Sequence, residues 1–138
     1  MGVWVNWTEL QRQSNRLWSA NYCLYSYLHP VRDWLLYVGK AGGSTVRQRL
    51  SGDHKHQLFR DLRNEYGIEW VRIFVGILEL EKGQYRTSEL LADVESLLIM
   101  RLQPYGNISA TASRISRPGL RVHCVGAWPF KRASFRDG

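Results

Sequence analysis

Two strand-like segments separated by a short turn constrain the fold of this chain most strongly. Residues 20–28 alternate and are rich in aromatic side chains, and residues 34–38 are all apolar. The intervening segment contains Pro30, which fixes φ and removes a backbone donor, so it predicts a turn. The two segments therefore predict an antiparallel hairpin. Because side chains alternate along a strand, Tyr25 and Tyr37 can lie on the same face of this hairpin.

Helices and further strands are predicted on both sides of the hairpin. Thr8 and Gln11 have the spacing of a capping box, which predicts a helix over 8–18. Leucines at helical spacing predict a long helix that begins at Thr87 or Ser88. That helix should end near residue 102, and the other predicted elements are a short helix ending near residue 52, a helix over 53–66, a third strand over 70–78 and a short strand over 120–125.

This order of elements predicts an α+β fold. We expect a small three-stranded antiparallel sheet flanked by helices, with an extra N-terminal helix over 1–21 and a basic C-terminal extension over 110–138. A chain of 138 residues is expected to be a single domain, 1–138, and is long enough to bury a core.

Positive charge is concentrated in the C-terminal part of the chain. The net charge is +7, and residues 101–138 hold seven Lys or Arg residues but only one acid, Asp137. Fifteen of the nineteen basic residues are arginine, whose guanidinium matches phosphate in a bidentate fork. This charge favours a nucleic acid as the partner, with Arg114, Arg117 and Arg121 on its backbone; the alternative is a basic surface without a partner.

Cysteine usage and hydropathy favour a cytoplasmic protein. Cys23 and Cys124 are too few for a disulfide framework, so we expect two reduced thiols. The sequence has neither the pattern of a secretory signal nor an apolar run approaching the ~20 residues of a membrane span, so we expect no membrane partner.

Several residues around the hairpin have the chemistry of a phosphate site. Gly39 directly follows the second strand, where a glycine permits close approach of a ligand, and Lys40 places a cation beside it. Arg49 lies beside the apolar residues of the short helix and could reach a phosphate. Arg47 is its competitor and would point elsewhere, roughly 200° away around the helix.

Carboxylate and imidazole groups follow later in the chain. Glu95 lies at the edge of the leucine stripe, where a carboxylate needs a partner such as Mg²⁺, Arg or Tyr. His54 and His56 are two residues apart and do not share one helix face, so a zinc site is not expected. We interpret His54 as the better phosphate or water contact.

In this order the residues resemble the catalytic core of the GIY-YIG endonuclease family over 22–109. The resemblance consists of Cys23-Leu24-Tyr25 and Tyr37-Val38-Gly39 as the two triplets, Arg49 as the helix arginine, His54 as the following His/Tyr position, Glu95 as the metal-binding glutamate and Asn107 as the late asparagine. Cys23 replaces the first glycine of the pattern. The loop before Arg49 is about two residues longer than in the family pattern, which leaves Arg47 open as an alternative.

The resemblance implies one-metal hydrolysis of DNA phosphodiesters. Glu95 would hold Mg²⁺ or Mn²⁺, Arg49 would stabilise developing charge, and Tyr37 would be the general base. The pKa of a free tyrosine is about 10, so cations must lower that of Tyr37. Tyr25 and His54 would position the water or share the proton, and which tyrosine is the base stays open. The expected nucleic-acid contacts are Gly39, Lys40, Arg47, Lys55, His56, Asn107, Arg114, Arg117 and Arg121, although for Asn107 we favour a bracing role at the helix end.

Two alternatives to a DNA endonuclease remain at this point. One is a nucleic-acid-binding module without turnover, and the other is a nuclease toxin or interference effector that needs an inhibitor protein. A homo-oligomer is also open. The residues do not distinguish DNA from RNA or single strands from duplex.

Overall fold

The computed structural model describes residues 1–51, 54–110 and 119–137, without the side chains of residues 15, 54–56 and 108–110. The strands are β1 (Gly2–Glu9), β2 (Cys23–Leu28), β3 (Leu35–Ala41), β4 (Arg72–Leu80), β5 (Arg121–Gly126) and β6 (Ser134–Arg136). The helices are α1 (Asn15–Trp18), α2 (Val46–Leu50), α3 (His54–Tyr66) and α4 (Ser88–Leu102), and a 3₁₀ segment spans Tyr105–Ala110.

All six strands belong to one mixed sheet with the order β3-β2-β4-β1-β5-β6. β1 and β5 are parallel, whereas the other neighbouring pairs are antiparallel. The sheet is curled into a half-barrel. The predicted hairpin of β2 and β3 is confirmed, but the expectation of a small three-stranded antiparallel sheet is wrong, because three further strands extend the sheet beyond β4.

The expected N-terminal helix is wrong. Residues 2–9 form β1, which is hydrogen-bonded to β4 on one side and β5 on the other, and only Asn15–Trp18 is helical. Val3, Val5 and Trp7 alternate with polar or exposed residues and are buried, which is the period of a half-buried strand. Thr8, expected as a helix cap, lies in this strand opposite Val75.

The basic C-terminal part is also integral to the fold rather than an extension of it. The predicted strand over 120–125 is confirmed as β5, and β6 returns antiparallel beside it. Val122 and Phe135 face each other across this pair and are buried in the main core. The expected irregular extension is therefore wrong for the described residues 119–137.

The sheet separates two layers of helices. One face, which we call the α4 face, packs Leu24 and Trp7 against the leucine stripe of α4, as the spacing of that stripe predicts. The opposite face, which we call the tyrosine face, packs Tyr25 and Tyr27 against α3 through Leu62. Adjacent residues of a strand therefore contribute to different cores.

Side-chain caps mark the starts of two helices, and a left-handed residue closes one of them. The Thr45 side chain caps α2 in a capping box with Gln48, and Thr87 Oγ1 accepts the Leu90 amide at 3.0 Å at the start of α4. Gln103 closes α4 in the left-handed conformation immediately before Pro104. None of the helices in the described ranges has both the length and the apolar character needed to cross a membrane.

Candidate functional site

Tyrosine rings form a cluster on the tyrosine face of the β2–β3 hairpin. Tyr37 lies directly opposite Tyr27 in the ladder, and Tyr25 lies opposite Gly39. The ring centroid of Tyr37 is 6.0 Å from that of Tyr25 and 5.6 Å from that of Tyr27. Tyr25 and Tyr27 are fully buried, whereas Tyr37 is partly exposed. The half-exposed phenol of Tyr37 is therefore the member of this cluster that a substrate could contact.

Gly39 makes room for the Tyr25 ring. A Cβ atom at Gly39 would lie 2.4 Å from Tyr25 Cζ, 2.5 Å from its hydroxyl oxygen and 2.8 Å from Tyr37 Cε2. These distances are far below van der Waals contact, so no other residue fits here without moving the tyrosines. The glycine therefore determines where the Tyr25 hydroxyl lies. Gly39 itself lies within β3 and not directly after the strand, where the sequence predicts it.

The hydroxyl groups of Tyr25 and Tyr37 share a hydrogen bond that distinguishes the two phenols. Burial is the largest cause of the raised pKa of each. The shared hydrogen bond raises the pKa of Tyr25 further and lowers that of Tyr37. This is the effect expected when the Tyr25 hydroxyl is the hydrogen-bond donor and the Tyr37 oxygen is the acceptor. Of this pair, Tyr37 is the phenol that ionises first.

Arg49 is the α2 arginine that acts on the tyrosines. Its positive charge lowers the pKa of Tyr25, Tyr27 and Tyr37. The side chain is half-buried, and its Nε atom is buried without a hydrogen-bond partner among the described residues. Arg47 is exposed and its Cζ atom lies 5.2 Å from the ring centroid of Trp18, so it points away from the cluster.

Glu95 acts on the same cluster from α4. It is half-buried, and its negative charge raises the pKa of Tyr37. Of the side chains expected to lower the pKa of Tyr37, Arg49 does so, but the pKa is raised overall. Burial and Glu95, which both raise this pKa, outweigh the Tyr25 hydrogen bond and Arg49, which lower it. Glu95 and Tyr37 therefore lie within electrostatic reach of each other, although they are on different elements.

The donor set around Glu95 fits a divalent cation of the Mg²⁺ type. Among the side chains that the structure describes, no group of three or more His, Cys, Asp or Glu residues could hold a metal ion. Mg²⁺ does not need such a group, because it keeps several waters and is bound through one or two carboxylates together with substrate phosphates. A single half-buried carboxylate within electrostatic reach of the Tyr37 phenol is consistent with this mode of binding.

Asn107 braces the edge strand that carries Tyr37. Its Oδ1 atom accepts the Val38 amide at 2.8 Å, and its Nδ2 atom donates to the Val38 carbonyl at 2.9 Å. Asn107 is 5% exposed, so both polar groups of the amide are used inside the protein. Any effect of Asn107 on nucleic-acid binding would therefore act through the position of β3.

Two other residues predicted for nucleic-acid contacts, Lys40 and Arg121, lie away from the cluster. Lys40 is opposite Leu24, on the α4 face of β3, and does not contribute to the pKa shift of Tyr37. Arg121 is on β5, four strands from β3, which corresponds to roughly 19 Å along the sheet. His54, Lys55 and His56 begin α3, and their side chains lie outside the described part of the chain, as do Arg114 and Arg117 altogether.

Tyr27 is a member of the cluster that sequence reasoning missed. It is fully buried, stacks on Tyr37 at an interplanar angle of 26° and lies 5.4 Å from the ring of Phe59 on α3. A signal for it was present, because Tyr27 is two residues after Tyr25 in an alternating strand and must share its face.

Comparison of the chain with family models, with curated proteins and with solved structures finds no match. The resemblance to GIY-YIG nucleases therefore depends on the residues and their geometry alone.

Proposed function

We propose that the protein is a metal-dependent endonuclease of the GIY-YIG type that hydrolyses phosphodiester bonds of DNA. The observation that carries the proposal is the convergence of Tyr25, Tyr37, Arg49 and Glu95, which come from β2, β3, α2 and α4. A phenol pair within electrostatic reach of a guanidinium and a carboxylate supplies a proton acceptor, a group that stabilises negative charge and an oxygen ligand for a cation. These are the three functions that phosphodiester hydrolysis requires.

Tyr37 is the general base in this proposal. It is the partly exposed tyrosine of the cluster, and it accepts the hydrogen bond of Tyr25, which stabilises its phenolate form. Tyr25 is fully buried and stays protonated, so its part is to hold the Tyr37 oxygen in place. The proposal therefore assigns the proton of the attacking water to Tyr37.

Arg49 and Glu95 act on the phosphate. Arg49 would donate to the phosphate oxygens and stabilise the charge that builds up during attack. Glu95 would hold Mg²⁺ or Mn²⁺, which when bound supplies Lewis-acid activation of the phosphate. The buried Nε of Arg49 leaves its terminal nitrogens as the donors nearest to solvent.

The proposal is tested by cleavage assays on plasmid, single-stranded DNA and RNA, with Mg²⁺ or with EDTA. Wild type should cleave DNA only with the divalent ion, and Glu95→Gln and Tyr37→Phe should be inactive while keeping the circular dichroism of wild type. Glu89→Gln and Tyr85→Phe are matched controls, since both residues are exposed, and should cleave normally. Cleavage by Glu95→Gln at the wild-type rate would overturn the proposal.

A nucleic-acid-binding module without turnover is the second candidate. The observation that favours it is the raised pKa of all three clustered tyrosines, which leaves little phenolate at neutral pH. This function predicts DNA binding that survives in EDTA, together with no Mg²⁺-dependent cleavage at any pH between 7 and about 9.5. Cleavage that appears as the pH rises would favour the nuclease instead.

A further inference from the structure

The β1–β5–β6 end of the sheet presents a row of exposed aromatic and basic side chains. The row consists of Trp4 on β1, Arg121 and His123 on β5, and Ser134 and Arg136 on β6, and we call it the β1–β5–β6 face. Trp4, Arg121, Ser134 and Arg136 are exposed, and His123 is half-buried. The tyrosine cluster and its proposed chemistry make no use of these residues.

The strand registers bring these side chains into direct contact. Trp4 lies opposite His123, and their rings stack with centroids 5.4 Å apart at an interplanar angle of 29°. His123 Nδ1 lies 3.0 Å from Ser134 Oγ on the neighbouring strand. Residues of β5 and β6 line an open pocket of about 270 Å³ next to the stacked rings, formed by Arg121, His123, Ser134, Phe135 and Arg136.

Two arginines at this pocket lie directly opposite each other. Arg121 pairs with Arg136 in the antiparallel register of β5 and β6, and like charges at such positions destabilise a sheet. Neither forms an ion pair with a carboxylate in the described part of the chain. Glu79 lies on the same face, opposite Trp4, and accepts a hydrogen bond from Asn6. An anion bound between the two guanidinium groups would relieve their repulsion, and phosphate is the anion that their fork geometry suits.

The β1–β5–β6 face lies on the same side of the sheet as the tyrosine cluster. Thr8 of β1 is opposite Val75 of β4, which is opposite Tyr25 of β2, so Thr8 lies on the tyrosine face. Because side chains alternate along a strand, Trp4 lies on the same face as Thr8. Arg121 is four strands from β3, which is roughly 19 Å along the sheet. A polymer bound at one of these places could therefore reach the other.

We propose that the β1–β5–β6 face binds a single-stranded segment of nucleic acid. Arg121 and Arg136 contact phosphates, and the stacked pair of Trp4 and His123 packs against a base. The basic groups favour a polyanion. The Trp4–His123 pair, in which Trp4 is exposed and His123 half-buried, favours a strand whose bases are unstacked, because bases in a duplex present no free ring face. The choice of nucleic acid as the partner rests on the proposed function.

The test measures binding of labelled oligonucleotides by fluorescence anisotropy in EDTA, so that cleavage plays no part. Replacing both arginines (Arg121→Gln with Arg136→Gln) should weaken binding of a single strand at least tenfold. The negative slope of log affinity against log salt should become shallower by about 1.4, since each of the two lost phosphate contacts to a single strand contributes about 0.7 to its magnitude. Arg12→Gln with Arg63→Gln removes the same charge from exposed positions elsewhere and should change the slope little.

Trp4→Leu tests the stacking part of the proposal. It keeps apolar bulk next to His123 but removes the aromatic ring, so single-strand affinity should fall roughly fivefold or more, while duplex affinity stays unchanged. If the double arginine variant does not fold, Arg136→Gln alone, on the three-residue edge strand, should produce about half the slope change.

The proposal would be overturned if the arginine variants had the affinity and the salt slope of wild type. It would also be overturned if the arginine variants lost affinity equally for duplex and single strand while Trp4→Leu left single-strand affinity unchanged. The nuclease proposal is tested separately by the cleavage assays on Glu95→Gln and Tyr37→Phe. Loss of binding in the arginine variants together with no cleavage by wild type would support this face and refute the nuclease.

Discussion

Gly39 and Tyr25 lie directly opposite each other across the β2–β3 ladder, and the Tyr25 ring occupies the space that a side chain at Gly39 would need. The Tyr25 hydroxyl reaches Tyr37 over this glycine, and a Cβ there would come within 2.5 Å of the Tyr25 hydroxyl oxygen. The glycine of the Tyr-Val-Gly triplet is thus explained by ring packing, with no requirement for an unusual backbone conformation.

Gly39→Ala should therefore displace the tyrosine pair. We expect a loss of about 1–3 kcal/mol in the free energy of unfolding, as for other overpacked cores, and loss of DNA cleavage. Urea denaturation and the cleavage assay measure the two effects. Gly43→Ala is the matched control, since a Cβ there would meet no atom within 4 Å, and it should leave both quantities unchanged. A stable, fully active Gly39→Ala protein would contradict this account of the glycine.

Asn107→Ala should loosen the strand that carries Tyr37. The variant loses both hydrogen bonds to Val38 and leaves a buried backbone N–H and C=O unpaired, so we expect a loss of about 1–3 kcal/mol in the free energy of unfolding. Hydrogen exchange of the Val38 amide should become faster than that of amides in β4. Asn6→Ala, which removes an exposed hydrogen bond to Glu79, should change stability by less than about 0.5 kcal/mol. Unchanged protection of Val38 would show that the brace is not needed.

The cleavage rate should rise with pH if Tyr37 is the base. Burial is the largest cause of its raised pKa, so the phenolate is a minor form throughout the neutral range and increases about tenfold per pH unit. The logarithm of the single-turnover rate should therefore increase with a slope of about 1 between pH 6 and pH 9. A plateau beginning near pH 7 would indicate a base other than Tyr37.

The charges around Tyr37 should be visible in its titration. Glu95 raises the pKa of Tyr37 and Arg49 lowers it, so Glu95→Gln should decrease this pKa and Arg49→Gln should increase it. The Cζ chemical shift of labelled tyrosine, followed by NMR against pH, reports both changes without any metal or substrate. Arg47→Gln, whose side chain packs over Trp18, is the control and should have no effect. Identical titration in all variants would mean that these groups do not share a site.

Stability should decrease in alkaline solution. Burial raises the pKa of Cys23 from 9.0 to about 11 and that of Cys124 from 9.0 to about 12, and it raises the pKa of Tyr25 and Tyr27 as well. The folded state therefore holds these protons more tightly than the unfolded chain. This stabilisation is complete below about pH 9, the ordinary thiol pKa, and is lost as the pH rises through the folded values.

Urea denaturation at pH 7, 9 and 10.5 measures this loss as a decreasing free energy of unfolding. Cys124→Ala removes one of the titrating groups, so its free energy of unfolding should decrease less steeply with pH than that of wild type. A free energy of unfolding that stays constant to pH 10.5 would contradict the burial of these groups.

Local sequence signals correctly predicted the elements that are specified by residues close together in the chain. The turn at Pro30 predicts the β2–β3 hairpin, the leucine spacing predicts α4, and the Thr45 and Thr87 caps mark the starts of two helices. In each case the periodicity or the cap lies within the element, so no distant contact is needed to recognise it.

The N-terminal strand shows where local reasoning failed. The pattern of Thr8 and Gln11 is that of a helix start, but burial of Val3, Val5 and Trp7 between β4 and β5 stabilises a strand instead. The parallel partner of β1 is more than 110 residues away in the chain, and short strands such as β6 have too few residues to show a period. Tertiary packing therefore overrode the helix signal.

The sequence by itself predicted the candidate groups, namely the two motif tyrosines, an arginine of the short helix and Glu95. Only the tertiary structure decided that Arg49 rather than Arg47 acts on the tyrosines, that Tyr27 joins them, and that Glu95 lies within reach of Tyr37. The physical reason is that such proximity depends on how helices pack against a sheet, which involves contacts between residues far apart in the chain.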